Sequence, residues 1–307
     1  MLIFVSFILS CLIIIIAQKY FLRNNYIDKI NNRSSHSSIA TRSGGFSIFL
    51  TLFLISVYFY LTGFEIYQFS LLVPLSITMI IGLYDDINGV DFKLKFIFQI
   101  ITAKIIIDNG LVIDNLHGIL GIYELNRMIA QMITIFFIVA IINSINFIDG
   151  IDGLAISIII LFLSLFEIFS ATQSDFFYLS IITISSLVPL YYFNFSKKKK
   201  VFLGDSGSLF LGTLVSVYVI YILSNNYVIK PKFDLHKILF VISILFYPII
   251  DIIRVFFLRV SKGKSPFIAD KNHIHHLIIN KIQSHWKSTF LIILISFLFL
   301  IFIQLIF

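Results

Sequence analysis

The sequence is poor in cysteine, in charge and in any long stretch of soluble composition. Its single cysteine, Cys11, sits within an apolar segment. This excludes an intramolecular disulfide and a cysteine-based metal cluster. Only 13% of the 307 residues are charged while 59% are apolar, and the mean hydropathy is +0.99. Soluble domains run nearer a quarter charged, so this composition excludes an ordinary water-soluble domain. There is no internal repeat, no HExxH pattern and no low-complexity segment beyond the lysine run 197–200. The apolar run from Leu2 to Ala17 lacks a preceding basic flank and a small-residue cleavage site, and Lys19 and Arg23 follow it. It reads as a retained first span and not as a cleaved leader.

What is present is a series of apolar runs near the length that crosses a bilayer, roughly 20 residues. Ten are expected, at about 2–22, 45–62, 67–83, 94–107, 127–143, 153–169, 176–195, 205–223, 236–259 and 287–306. The fourth is short and contains Lys104, and Pro74, Pro189 and Pro248 fall inside spans, where neighbouring helices satisfy the freed carbonyls. The expected fold is all-α, a polytopic transmembrane bundle of about ten spans forming a single domain over 1–307. Ten spans place the loops 18–44, 84–93, 144–152, 196–204 and 260–286 on one side. With adjoining helix ends, that side holds 18 of the 23 basic residues against four (Arg127, Lys230, Lys232, Lys237) opposite. The positive-inside rule makes the basic side cytoplasmic and both termini periplasmic. The formal charge of +7 therefore reads as orientation and not as nucleic-acid binding.

The unusual polar residues lie on the basic side. Asp85-Asp86 ends a span; adjacent carboxylates repel unless a cation neutralises them, and a hard cation such as Mg2+ suits oxygen ligands. A solvated helix terminus is the plainer alternative. In NSINFIDGIDGLA, Asn143, Asn146, Asp149 and Asp152 recur every three residues, which on a helical backbone puts them on adjacent turns. Helix caps and turns would use the same residue types. In VFLGDSGSLFLG, glycines surround Asp205 at a helix start, a place suited to an anion or simply to a capping Asp. The upstream Lys197–Lys200 run could hold phosphate or anionic lipid, or serve orientation alone. His273, His275 and His276 resemble a zinc site at first sight, but no cysteine accompanies them. With Lys271 and Arg259 they suit phosphate or sugar binding, and interfacial structure is the third reading. Arg33, His36 and Arg42, ahead of Gly44-Gly45, would line a basic entrance or be plain solvated charge.

Acidic metal ligands, basic residues and glycines on one face fit phosphoryl transfer from a charged nucleotide donor, which is mostly positioning and charge neutralisation. Two other classes compete. A transporter predicts acids near the midplane and paired broken helices related by a repeat. A non-catalytic scaffold would leave five reactive-type loops unexplained.

Five motifs in order, NNRSSH…TRSGG, GLYDDI with Lys93 and Gln99, NSINFIDGIDGLA, FLGDSGSLFLG and SPFIADKNHIHH, resemble the polyprenyl-phosphate sugar-1-phosphate transferases of glycosyltransferase family 4, the family of WecA and MraY. The resemblance covers nearly the whole chain. It implies a multi-pass enzyme of the bacterial cytoplasmic (inner) membrane that moves an N-acetylhexosamine 1-phosphate from a UDP-sugar to undecaprenyl phosphate, releases UMP, and starts a cell-surface polysaccharide such as O-antigen. The implied cofactor is Mg2+, with Mn2+ as an alternative. The implied partners are the UDP-N-acetylhexosamine donor, the undecaprenyl phosphate acceptor and membrane lipid, with no nucleic acid and oligomerisation left open. By resemblance Asn146 and Asp205 hold the metal, and Asp85, Asp86, Asp149 and Asp152 form the catalytic acidic set. Asn143, Lys93, Arg42, Arg259, His273, His275 and His276 contact substrate. Ile30 stands where the family usually has proline, and Thr41-Arg42-Ser43 replaces a common Pro-Arg-Gly. The histidine motif resembles the branch that handles N-acetylated hexosamines.

Overall fold

The computed structural model of the chain describes residues 1–28, 39–224, 227–229, 237–263 and 272–306. It is an all-α, membrane-spanning bundle, α1 (Leu2–Arg23), α2 (Gly44–Leu61), α3 (Leu72–Asn88), α4 (Phe92–Asp108), α5 (Arg127–Ile148), α6 (Leu154–Phe169), α7 (Phe177–Phe195), α8 (Gly204–Leu223), α9 (Lys237–Ile244), α10 (Phe246–Ser261), α11 (Ile274–Ile282) and α12 (His285–Ile306). Each of the ten apolar runs read from the sequence contains a helix, but the ninth is broken. Its two halves, α9 and α10, meet at Leu245 with a bend of 79°. Among the described residues seven helices are long and apolar enough to cross a membrane, or eight if the bent pair is one span. The 16 residues of α6 and the 17 of α4 reach only about 25 Å at 1.5 Å per residue, short of the roughly 30 Å hydrocarbon layer.

The core is built around α8. Its whole span is buried, and it packs against α3, α5 and α2, and beyond them α6 and α9. A helix apolar on every side is what a central position requires. Close approach is set by glycine. A Cβ on Gly45 of α2 would stand 2.0 Å from the Gly207 nitrogen, one on Gly82 of α3 would stand 2.4 Å from the Asp205 carbonyl oxygen, and one on Gly212 would stand 2.9 Å from Ile142 Cα. Small residues let backbones meet where lipid offers no hydrophobic drive between helices. Hydroxyls add interhelical bonds, Ser10 to the Ser186 carbonyl at 2.8 Å and Thr213 to Thr78 at 3.0 Å.

One end of the bundle is closed by a small sheet. β1 (Ile27–Asp28) pairs antiparallel with β2 (Ala40–Thr41), which pairs in parallel with β3 (Lys200–Val201). The ladder continues through Phe202 N to the Thr41 carbonyl, Gly44 N to the Phe202 carbonyl and Gly45 N to the Leu203 carbonyl, at 2.8 to 3.0 Å. Residues 40–45 and 200–207, far apart in sequence, are thereby locked together at the start of α8.

Candidate active site

The N-terminus of α8 is the centre of the site. Asp86, at the end of α3, accepts from the backbone nitrogens of Asp205 and Ser206 at 2.9 Å each, one on either carboxylate oxygen. It thus satisfies donors that a helix start leaves open, and its charge complements the helix dipole. Gly204 makes the approach feasible. Its φ is +73°, and a Cβ there would lie 2.6 Å from Asp86 Oδ2. Asp86 is fully buried, and Arg42 stands 3.7 Å from its Oδ1 while bonding Asp28 at 2.6 Å.

Asp85 points the other way. Its Oδ1 accepts from Val90 N at 2.6 Å, and its Oδ2 accepts from Lys95 Nζ at 2.9 Å. The same ammonium donates to Asp205 Oδ2 at 2.9 Å. Asp205 Oδ1 in turn accepts from Asn146 Nδ2 at 3.2 Å, and Asn146 also donates to Ser208 Oγ at 2.7 Å. Four helices therefore meet at one carboxylate, with α3, α4, α5 and α8 supplying Asp85, Lys95, Asn146 and Asp205. Asn143, one turn before Asn146, donates to Gln99 Oε1 at 2.8 Å and fixes α5 against α4.

Lys95 is the residue that the sequence reading missed. That reading chose Lys93, which is exposed on the first turn of α4. Half of the signal was present, because helix positions two apart point about 200° away from each other, so only one of Lys93 and Lys95 can face the site. Only the position of α4 against α3 and α8 decides which lysine faces in.

The expected helical spacing of Asn143, Asn146, Asp149 and Asp152 holds for the first two only. α5 ends at Ile148, with Asp149 as its C-cap, so the regular placement of all four on adjacent turns is corrected. Asp149 stays near the cluster. Burial, with Asp205, Asp86 and Asp152 nearby, holds its carboxyl well above the usual range. Asp152 turns away into a buried pair with Lys200 of β3 at 2.5 Å. His285 Nδ1 lies 3.3 Å from the same carboxylate oxygen. The Asp152 carbonyl accepts from Thr289, and Gly153 N donates to Asn194. Lys200 also sits over the Phe202 ring at 5.3 Å. Of the lysine run, then, Lys200 is an internal counter-ion.

The histidines come in from the far side of α5. His273, the N-cap of α11, donates from Nδ1 to Asp251 Oδ2 at 2.6 Å and packs on Phe147. His275 is fully buried beside Gly150, where a Cβ would come 2.3 Å from its Nε2. Its ring is pushed down to about 3, by burial first and then by His276 alongside. His276 lies 4.3 Å from it, ring to ring. Arg259 is buried, its Nη2 3.5 Å from His273 Nε2. Arg33, His36, Lys271 and the flanking stretches 31–36 and 265–270 lie outside the described residues.

Whether the set suits Mg2+ is decided by its donors. Among the described residues no group of three or more His, Cys, Asp or Glu side chains converges as a metal cage. Asp205 offers hard carboxylate oxygens here, Asn146 turns its amide nitrogen to Asp205 and would bring its oxygen to an ion by a turn of the amide, and Lys95 shows that a cation is already stabilised between Asp85 and Asp205. One or two protein oxygens completed by substrate phosphates is the usual Mg2+ arrangement, so the residues fit that ion and not a dedicated cage.

Comparison with known proteins finds related sequences. Residues 68–223 match the model of "Glycosyl transferase family 4", a stretch from before Asp85 to the end of α8 that leaves out the histidine segment. The chain is 31% identical over 303 residues to a probable undecaprenyl-phosphate N-acetylglucosaminyl 1-phosphate transferase of Bacillus subtilis, covering 96% of this chain and 82% of the relative. It is 31% identical over 309 residues to the undecaprenyl-phosphate alpha-N-acetylglucosaminyl 1-phosphate transferase of Haemophilus influenzae, covering 96% and 83%. The Pasteurella multocida protein of that name is 34% identical over 268 residues, covering 82% and 71%.

Proposed function

The chain belongs to glycosyl transferase family 4, and on that premise we propose that it transfers an N-acetylhexosamine 1-phosphate from a UDP-sugar to undecaprenyl phosphate. The relatives' names carry the acceptor and the sugar-phosphate chemistry. The observation that carries the reading for this chain is the joint hold of Lys95 and Asn146 on Asp205, against Asp85, at one end of the bundle. The product is a lipid-linked sugar diphosphate that starts a surface polysaccharide. The protein is read as a single domain of ten spans in the bacterial inner membrane, with periplasmic termini and the site on the cytoplasmic face. The 18-to-4 distribution of basic residues supports that orientation.

An oxygen of the lipid phosphate attacks the sugar-bearing phosphorus of the donor. One P–O bond forms, the anhydride bond to UMP breaks, and UMP leaves with the electron pair. One anhydride replaces another, so no further co-reactant is needed. The acceptor phosphate, with a second pKa near 6 by analogy with phosphorylated side chains, is already a dianion, so positioning matters more than a strong base. Asp85 holds Lys95, and Lys95 neutralises phosphate charge as it builds. Asp86 has both oxygens engaged by the α8 backbone, and its part is to hold Asp205 in place. Asn146 and Asp205 would hold Mg2+, or Mn2+, on the diphosphate, where the ion supplies charge neutralisation. Asp149, Asn143 and Arg42 line the same end, and His273, His275, His276 and Arg259 face the donor's sugar phosphate. Asp152 is read as a donor contact that opens from Lys200. Lys93, exposed, is read as a peripheral contact to phosphate.

The test is radiolabelled product. Membranes carrying the protein should form a lipid-linked sugar from undecaprenyl phosphate and at least one of a panel of UDP-N-acetylhexosamines. Asp205→Asn should lose more than about a hundredfold of that activity. Ion flux without such a product, or full Mg2+-dependent activity in Asp205→Asn, would overturn the reading.

A further inference from the structure

Behind the histidines, α10 presents two buried polar side chains, Tyr247 and Asp251. Residues four apart on a helix lie on the same face, and these two each take the Nδ1 of one histidine. Asp251 Oδ2 lies 2.6 Å from His273 Nδ1, while its Oδ1 accepts from Ile274 N at 2.7 Å. The Tyr247 hydroxyl lies 3.0 Å from His275 Nδ1. The two imidazoles are stacked, centroids 5.5 Å apart at 14°.

Counting protons separates the two rings. A carboxylate only accepts, so His273 must carry its proton on Nδ1. Its Nε2 then offers a lone pair, which matches the Arg259 guanidinium at 3.5 Å, a group that only donates. For His275 there are two arrangements. If its Nδ1 donated to Tyr247, both the phenol hydrogen and the Nε2 lone pair would be left buried without partners. If Tyr247 donates, only the Nε2–H lacks an acceptor, and Nε2 is indeed buried without one among the described residues. Burial disfavours each unmet polar group, so the second arrangement wins.

We infer that Tyr247 and Asp251 are positioning residues that hold His275 and His273 in opposite tautomers, making His275 Nε2–H a hydrogen-bond donor for an oxyanion at the Asp149–Gly150 turn. The turn is suited to this, because Gly150 lets the ring approach and Asn146 lies on the preceding turn of α5. The transferase reading supplies only the oxyanion's identity, a phosphate oxygen of the UDP-sugar. His273 has the other task, keeping Arg259 in place, and is not the donor.

The experiment is solid-state NMR of the full chain, 15N-labelled at histidine, in lipid, with His275→Gln used for assignment. The expected result is a protonated, pyrrole-type Nε2 and a hydrogen-bonded, pyridine-type Nδ1 on His275, with the Nδ1 signal moving to its unbonded position in Tyr247→Phe. In transfer assays with UDP-N-acetylglucosamine, Tyr247→Phe should raise KM roughly tenfold, as for a weakened bond to a charged group, with kcat changed less than about threefold. His275→Gln, which keeps a donor near Nε2, should retain more activity than His275→Asn. A wild-type His275 protonated at Nδ1, an Nδ1 signal unmoved by Tyr247→Phe, or equal loss in the Gln and Asn variants would overturn the inference. If the tautomers are as stated but no UDP-sugar is used, the transferase reading fails and the tautomer assignment stands.

Discussion

Lys95 is the cation that lets Asp85 and Asp205 face each other. Removing it leaves two carboxylates in repulsion and takes away a preorganised positive charge. Lys95→Ala should therefore lower sugar-phosphate transfer by roughly a hundredfold or more, whereas exposed Lys93→Ala should cost less than about threefold; steady-state rates for the two variants check this. His275 has a different signature. Its folded ring resists protonation down to about 3, whereas the unfolded ring titrates near 6.5. Below 6.5 the unfolded chain takes up a proton that the folded chain refuses, so stability is full above that pH and falls as pH drops toward 3, by up to about 1.4 kcal/mol per pH unit. Thermal midpoints in detergent between pH 7.5 and 5 should fall in the parent and fall less in His275→Gln. At this scale the acids and histidines were legible because their residue types are rare in so apolar a chain. Their partners Tyr247, Asp251 and His285 were not, since a single polar residue inside or beside a span carries no sign of what it faces.

Between elements, the fit of α8 is the most demanding feature. Because its neighbours approach at backbone distance, Gly45→Ala would drive a Cβ into the Gly207 nitrogen at 2.0 Å. Neither side is a flexible side chain that can yield, and the expected destabilisation is about 3 kcal/mol, the upper part of the range for overpacking. A drop in the thermal midpoint, with activity lost alongside it, checks this. Run lengths made the helices legible to within a few residues. They did not reveal the break at Leu245, where the only sign is Pro248, which cannot donate to the Ile244 carbonyl, nor the end of α5 at Ile148. Asn and Asp suit both a helical turn and a cap, so the three-residue spacing from Asn143 to Asp152 could not say where the helix stops.

For the whole molecule, all the site's side chains come from one end of the bundle, and the proposed orientation, basic side inward, is open to a direct test. In a Cys11→Ser background, Lys198→Cys and Asn115→Cys lie at opposite ends. A membrane-impermeant maleimide applied to right-side-out vesicles should label position 115 at once and position 198 only after permeabilisation. The reverse pattern would invert the topology. That the polar segments gather at one end of the bundle was legible from the alternation of apolar runs and polar loops along the chain. Which loop touches which was not, because long-range pairing such as Asp152 with Lys200 depends on packing that run lengths do not encode.

The bonds from Asp152 to His285 and Thr289 join the middle of the chain to α12, as the small sheet joins residues 27–28 and 40–41 to residues 200–201. During synthesis the sheet can close once residue 201 has emerged, whereas the Asp152 contacts must wait for the start of α12. A nascent chain halted between residues 205 and 285 would already carry Asp85, Lys95, Asn146 and Asp205, yet would leave Asp152 without its His285 and Thr289 contacts.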